Sequence, residues 1–213
     1  MVIILPETRE EWLQERKFGI GGSDAASIFG WSKWKSNVDL WEEKTGAKEP
    51  EDISDKPYVR FGHDAEPHIR ELFALDHPEY EVFYESPYKI IRNAEHPWLF
   101  ATLDGELVEV ETERVGILEI KTTEIKRNDQ WKEWDGRIPQ MYFFQVCHQL
   151  LATGYDFVVL KARIKHKKGI TVREYKIERE EVMEDLEFLL EEEKKFWGLV
   201  ANRVRPARIL PEL

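Results

Sequence analysis

The spacing of apolar side chains divides the chain into helical and extended parts. Between 178 and 201 apolar residues mostly recur every three to four positions, which is the pattern of one long amphipathic helix. The middle of the chain differs, because it contains runs rich in β-branched and aromatic residues that predict strands. These predicted strands cover 81–91, 98–110, 115–122, 157–165 and 170–177.

Helix start and stop signals predict five further helices. A capping-box pattern begins at Thr8, and Gly30, Gly46 and Gly154 follow the ends of three other helices. Pro67 lies inside a fourth, where we expect a kink or a break because proline lacks a backbone N–H. The order of elements indicates an α/β (α+β) fold with a mixed sheet flanked by helices. The predicted helices are 8–18, 24–29, 37–45, 58–75 and 139–153.

Length and composition fit a single domain. The chain has 213 residues, 42% of them hydrophobic, enough for one sizeable core. We divide the expected domain, 1–213, into a helical part (1–57), a core (58–177) and a C-terminal helix with its tail (178–213). The single cysteine, Cys147, excludes an internal disulfide and fits a reducing cytoplasm. The apolar run at the N-terminus is too short for a signal peptide, and no stretch reaches the ~20 apolar residues of a membrane span.

The net charge of −11 argues against a nucleic-acid partner, but the charges are unevenly distributed. Nine carboxylates lie between Glu178 and Glu193, within the last predicted helix. Phosphate binding depends on local potential more than on net charge, so basic segments elsewhere can still bind DNA. The acidic run and the basic segments can equally be ordinary solvent-exposed surface without a binding role. The basic segments contain Lys161, Arg163, Lys165, Lys167, Lys168 and Arg173, then Arg203, Arg205 and Arg208.

Two charged side chains interrupt the apolar strand predicted at 115–122. Because alternate residues of a strand share a face, Glu119 and Lys121 project together, whereas Leu118 and Ile120 face the other way. A neighbouring carboxylate and ammonium can be a structural ion pair or part of an active site. The triplet alone favours the ion pair.

Asp104 shifts that balance toward an active site. If the predicted strands on either side of residues 111–114 pair as a hairpin, Asp104 and Glu119 can lie close together. Two neighbouring carboxylates repel each other unless a cation lies between them, and oxygen-rich sites of this kind suit Mg²⁺ or Mn²⁺. A turn or bulge at Asp104-Gly105 is the simpler interpretation of the Asp-Gly pair by itself.

Glu66 is a third candidate acid. It precedes Pro67 at the expected helix break. Because a proline within a helix is costly, its presence suggests that the site requires a particular backbone geometry here. A helix that starts here, with Pro67 in its first position, accounts for the sequence equally well.

The segment Gly21-Gly22-Ser23 is a candidate anion site. Two glycines before a helix allow backbone N–H groups to converge, and the helix dipole favours an anion there. The Ser23 hydroxyl can donate a hydrogen bond, and the Arg16 guanidinium can bind a phosphate through two N–H groups. Ser23 can also be an ordinary helix cap, with Arg16 solvated.

Several tryptophans lie close to lysines in the sequence, and these lysines include Lys33, Lys35 and Lys132. Such aromatic side chains can stack on the bases of a frayed DNA end. More often they form core or subunit contacts. The tryptophans in question are Trp31, Trp34, Trp41, Trp131 and Trp134.

An ordered set of motifs resembles the lambda-exonuclease-like, YqaJ-type viral recombinase nucleases of the PD-(D/E)XK superfamily. The resemblance runs from about residue 16 to residue 197. The chain departs from the pattern at Leu103, where the superfamily name implies proline, and at Cys147 and His148, in a stretch often richer in glutamine. Neither departure involves the candidate metal-binding acids. The motifs are GIGGSDAA (19–26), LWEEKTG (40–46), GHDAEP (62–67), LDG (103–105), LEIK (118–121) and QV (145–146).

The resemblance implies a restriction-endonuclease-like core and a set of metal ligands within it. Asp104 and Glu119 would bind Mg²⁺, or Mn²⁺ in its place, together with the main-chain carbonyl of Ile120. Glu66 would hold a second ion or its waters. A cation in this position would activate water and bridge phosphate oxygens.

The remaining family roles fall on five residues. Lys121 would orient the attacking water or help to deprotonate it, and would stabilise charge on the phosphate. Gln145 would bond a metal-bound water or the lysine, although a surface amide is equally compatible. Arg16, Ser23 and Gly22 would form a pocket for a 5′-terminal phosphate.

By resemblance we expect a 5′→3′ exonuclease that acts on ends of linear double-stranded DNA, in the recombination of a phage or prophage. A ring-shaped homotrimer, a single-strand-annealing partner protein and a location in the host cytoplasm are also implied, and no membrane association. An endonuclease or a single-strand nuclease with the same metal site remains open. So does a non-catalytic DNA-binding protein of this fold, although the intact Asp104, Glu119 and Lys121 argue against it.

Overall fold

The structure is a computed structural model that describes residues 1–209. The last four residues of the predicted segment 178–213 therefore lie outside the described part of the chain. The α-helices are α1 (Arg9–Lys17), α2 (Gly22–Ile28), α3 (Asn37–Lys44), α4 (Pro57–Asp76), α5 (Gln140–Thr153) and α6 (Met183–Ala201). Two 3₁₀ helices cover Asn128–Glu133 and Arg179–Val182.

The strands form two mixed sheets, whereas the sequence predicted one. The five-stranded sheet has the order β3-β6-β7-β8-β9, and within it β7 and β8 are parallel. The four-stranded sheet has the order β1-β4-β5-β2, with β2 and β5 parallel. The strands are β1 (Val2–Ile4), β2 (Ile20–Gly21), β3 (Tyr80–Phe83), β4 (Ile90–Arg92), β5 (Leu99–Ala101), β6 (Gly105–Glu109), β7 (Val115–Glu124), β8 (Phe157–His166) and β9 (Gly169–Glu178).

The predicted strands 81–91 and 98–110 are each divided between the two sheets. In the first, Pro87 cannot donate to a ladder, and the Ser86 hydroxyl accepts the N–H of Tyr88 at 3.1 Å in a turn. In the second, the chain leaves one sheet after β5 and enters the other at β6. Asp104 therefore stands at the junction of the two sheets.

Helix α4 runs through Pro67 without a break, so the expected break is wrong, and so is the helix start at that residue. Pro57 occupies the first turn instead. Pro67 and His63 are both exposed, so water can bond the His63 carbonyl that loses its N–H donor. Glu66 consequently lies in the middle of a helix.

The helices cover both faces of the five-stranded sheet. Ile69 and Phe73 of α4 pack against Leu118 and Ile120 on one face of β7. The other face of β7 meets α5, whose apolar side chains form the largest core cluster together with those of α6. Since β7 alternates, Glu119 and Lys121 share one face, as the strand pattern predicted, and the structure shows that this face meets α5.

The remaining predicted helices and the final hairpin are confirmed to within a few residues. The short strands β1 and β2 and the 3₁₀ helix at Asn128–Glu133 were not predicted, because elements this short carry no periodic signal.

Candidate active site

The register of β6 and β7 brings Asp104 next to Glu119. Gly105 pairs with Leu118, so the residue before Gly105 lies opposite the residue after Leu118. The Asp104 Oδ2 atom accepts the N–H of Ile120 at 2.8 Å. The hairpin that the sequence suggested is therefore present, and it places the two carboxylates at one end of the β6–β7 ladder.

Three donors surround the carboxylate of Glu119, which is only 2% exposed. Its Oε1 atom lies 2.5 Å from Lys121 Nζ and accepts a hydrogen bond from Gln145 Nε2 at 2.6 Å. Its Oε2 atom accepts a bond from Gln149 Nε2, also at 2.6 Å. Gln145 is thus a partner of the acidic site and not a surface amide.

Gln149 is a site residue that the sequence analysis did not identify. It follows Gln145 by four residues on α5, and residues four apart share one face of a helix. That spacing was the available signal. The two amides hold both oxygens of Glu119 in place.

Burial and mutual repulsion set the charges of this site. Burial raises the pKa of Asp104 well above its usual range, and the charges of Glu119 and Glu66 raise it further. Burial also raises the pKa of Glu66, with a contribution from Glu119. Burial works to lower the pKa of Lys121, but Glu119 and Asp104 outweigh it and raise that pKa. The three acids predicted from sequence therefore influence one another, and the lysine is protonated.

The donor set fits a divalent cation. Among residues 1–209, no three carboxylate, histidine or cysteine side chains stand together as a complete metal cluster. Lys121 and the two α5 glutamines hold the oxygens of Glu119, while burial and repulsion favour a proton on Asp104. A bound cation removes that repulsion, and carboxylate and carbonyl oxygens are the ligands that Mg²⁺ and Mn²⁺ prefer.

Arg70 is a second residue that the sequence analysis missed. Its Nε atom donates to the main-chain carbonyl of Asp104 at 2.6 Å, and its guanidinium carbon lies 3.5 Å from the Tyr84 ring centroid. Its Nη2 atom is buried and has no hydrogen-bond partner among the described residues. Because Arg70 follows Glu66 by four positions on α4, the helix period was the available signal.

The candidate anion site lies beside the acidic site. Arg16 Nη2 donates to the Ser23 hydroxyl at 3.3 Å, and the guanidinium lies over the rings of Trp12 and Phe100. A Cβ atom added at Gly22 would lie 3.2 Å from the Gln145 side chain, so the start of α2 packs directly on α5.

Ser23 is not a helix cap. Gly21 occupies the cap position, and the Asp24 carboxylate accepts its N–H at 3.1 Å. A buried ion pair joins Asp24 to Lys44 at 2.8 Å, and the Lys44 ammonium also donates to the Arg16 carbonyl at 2.9 Å. The Ser23 hydroxyl remains bonded to Arg16 and not to the end of its own helix.

The structure shows which of the candidate DNA-binding lysines and tryptophans are buried and which are exposed. Lys161 is 5% exposed and pairs with Asp76 and Glu174, so it is a buried structural cation and not a phosphate ligand. Trp134 is buried, and Trp41 donates its indole N–H to a main-chain carbonyl of α6, so both are structural. Trp31 and Trp34 remain exposed.

In the described part of the chain, no helix combines the length and the apolar character needed to cross a bilayer. The family model described as the YqaJ-like viral recombinase domain matches residues 11–156, more than half of the chain. The uncharacterized protein YqaJ of Bacillus subtilis (strain 168) is 35% identical over 150 residues. That match covers 70% of this chain and 44% of YqaJ, so the chain spans less than half the length of this relative.

Solved structures show the same fold. An alkaline exonuclease from Laribacter hongkongensis, LHK-Exo, gives a TM-score of 0.65 at 16% identity, over 92% of this chain and 94% of the exonuclease chain. The structure of LHK-Exo in complex with dAMP gives a TM-score of 0.65 at 17% identity with the same coverage. The expected PD-(D/E)XK fold is therefore confirmed.

Proposed function

The chain belongs to the family of the YqaJ-like viral recombinase domain, and we propose that it is a divalent-metal-dependent deoxyribonuclease. One observation carries this proposal: Asp104 lies opposite Glu119 at the end of the β6–β7 ladder, with Lys121 on the same strand face. Two carboxylates beside one protonated lysine form an arrangement suited to phosphodiester hydrolysis.

Each side chain of the site has a distinct task in this proposal. Asp104, Glu119 and the Ile120 carbonyl would hold Mg²⁺, or Mn²⁺ in its place, and Glu66 would hold a second ion or its waters. When bound, the cation supplies an activated water and neutralises phosphate charge. Lys121, 2.5 Å from Glu119, would orient the attacking water or help to deprotonate it, and would stabilise charge on the phosphate.

The glutamines of α5 act on the geometry of the site. Gln145 and Gln149 each donate to a different oxygen of Glu119, which fixes the plane of that carboxylate. A fixed carboxylate keeps its lone pairs directed toward a cation without reorganisation during the reaction.

We further propose that the enzyme is a 5′→3′ exonuclease on linear duplex DNA. Arg16, Ser23 and Gly22 would bind the 5′-terminal phosphate. Gly22 packs against Gln145, whose amide bonds Glu119, and these contacts support a phosphate pocket close to the acids. A terminal phosphate held there would position the next phosphodiester over the acids. The name of LHK-Exo, an alkaline exonuclease, supports the exonuclease part of this proposal.

Family membership supports a proposal for the wider biological role. We propose a part in phage-type recombination, with a single-strand-annealing protein as partner and a ring of three copies around DNA. A ring would reconcile the net charge of −11 with DNA binding, because basic residues would be concentrated in its channel. Light scattering at micromolar protein tests the assembly, and a monomeric mass with DNA present would exclude the ring without affecting the nuclease assignment.

End-labelled linear duplex, incubated with and without Mg²⁺, tests activity, metal requirement and polarity together. Lys121→Ala and Glu119→Ala are each expected to lower the cleavage rate by ~10²-fold or more. Lys195→Ala, on the exposed face of α6, is the matched control. Variants that melt like the wild type and still hydrolyse DNA at its rate would contradict the site assignment. Cleavage of circular duplex would indicate the endonuclease that the sequence left open.

A further inference from the structure

A cavity of about 210 Å³ lies at the carboxyl end of β7, just beyond Lys121. Its walls come from the last residues of β7, the 3₁₀ helix Asn128–Glu133 with the residues that flank it, the start of α5 and the loop that carries Trp34. Tyr142 connects the cavity to the candidate active site, because its ring lines the cavity and lies 5.2 Å from Lys121 Nζ. A ligand in this cavity would be one side chain away from the catalytic lysine.

Three aromatic side chains contribute to the lining of the cavity. Trp34, Trp134 and Tyr142 all line it, and Trp134 is buried against Tyr142. Trp34 is 70% exposed, and among the described residues it has no aromatic or cationic stacking partner. An exposed indole at the mouth of an aromatic cavity offers a stacking surface for a flat ring.

The charges around the cavity do not favour a phosphate. Its lining carries two carboxylates, Glu124 and Glu133, and one lysine, Lys33, which lies 3.6 Å from Glu133. The lining therefore has no excess of positive charge. An uncharged group suits this cavity better than an anion does.

Gln130 adds a polar group to the lining. Its Oε1 atom accepts the N–H groups of Lys126 and Arg127, both at 3.0 Å. The carbonyl end of the amide is thus engaged, and the amide nitrogen is the end that can donate to a ligand. Every nucleobase carries hydrogen-bond acceptors on its edge, so a donor here recognises bases in general.

We propose that this cavity binds a nucleobase of the DNA substrate, stacked on Trp34 and Tyr142, from a nucleotide next to the scissile phosphate. The proposal rests on the proposed nuclease function. A base unstacked at a frayed end is flat, uncharged and polar at its edge, which matches the aromatic wall, the lack of excess positive charge and the Gln130 amide. Its own phosphate would lie outside the cavity, toward Lys121.

The test compares a strand with bases and a strand without them. A fluorescein-labelled oligothymidylate of about ten nucleotides, and an abasic strand of equal length, are titrated with full-length protein in EDTA, which prevents hydrolysis. Trp34→Ala is expected to weaken binding of the oligothymidylate at least about fivefold and to leave binding of the abasic strand unchanged. Trp31→Ala is the matched control, because Trp31 is exposed on the same segment but does not line the cavity.

Two outcomes would overturn the proposal. An equal loss on both strands would mean that Trp34 contacts the backbone, and no loss on either would mean that this surface serves another partner, such as a protein. Hydrolysis of linear duplex with Mg²⁺ is measured on the same preparations. Base-dependent binding without hydrolysis would support the nucleobase site and contradict the nuclease function. Hydrolysis without base-dependent binding would support the nuclease function and contradict the nucleobase site.

Discussion

Replacing Arg70 by lysine is expected to weaken the binding of a divalent cation at Asp104 without unfolding the protein. The Arg70 Nε atom donates to the Asp104 carbonyl at 2.6 Å while the guanidinium lies over the Tyr84 ring. A lysine keeps the positive charge near Glu66 but cannot stack on the ring and reach the carbonyl together. The substitution therefore tests the directional bond separately from the charge.

The size of the effect follows from the kind of contact that is lost. A hydrogen bond from a charged donor contributes roughly 1.5–3 kcal/mol. Loss of a group that orients a metal ligand commonly lowers metal affinity or activity by ~10–100-fold. Since Asp104 keeps its bond from the Ile120 N–H, we expect the lower end, a roughly tenfold weaker affinity.

Calorimetric titration with Mn²⁺, in the absence of DNA, measures this affinity independently of catalysis. Arg60→Lys is the matched control, because Arg60 is exposed on the same helix. Asp104→Ala provides the reference for a lost ligand. If Arg70→Lys binds Mn²⁺ within about twofold of the wild type while Asp104→Ala does not bind it, Arg70 does not position the acid.

Three further predictions concern other parts of the molecule. Arg16→Ala is expected to remove a several-fold preference for a 5′-phosphate over a 5′-hydroxyl duplex end, and equal initial rates of the wild type on both ends would exclude the pocket. Burial works to lower the pKa of His148, but Glu193, 2.8 Å away, raises that pKa above 6.5. The pair therefore stabilises the fold fully below about pH 6.5, and this stabilisation is lost as the pH rises through the pKa of His148 in the folded protein. Urea unfolding at about pH 6 and about pH 9 should show this loss in the wild type but not in Glu193→Gln. Gly116→Ala would place a Cβ atom 2.3 Å from the Phe157 ring and should lower the free energy of unfolding by ~1–3 kcal/mol, whereas an unchanged Tm would show that the ring moves aside.

Local patterns determined much of this protein. The helices were predictable from their caps and stop glycines, because these signals act within one or two turns. The shared face of Glu119 and Lys121 followed from the strand period alone. The ordered motifs indicated the family from sequence alone, since the acids, the lysine and the glycines stand at characteristic distances along the chain.

The contacts that make a site of these residues were decided by tertiary structure. In the run 98–110 the Asp-Gly pair indicated a turn or bulge, but it could not show that the chain passes there from one sheet to the other. The helix period groups Arg70 with Glu66 and Gln149 with Gln145, but their partners lie 34 and 30 positions away, so no local signal identifies what they bond. Lys161 looked like a surface cation, yet Asp76 and Glu174 bury it. Burial and pairing of charged groups depend on which elements pack together, and a one-dimensional pattern describes each element only by itself.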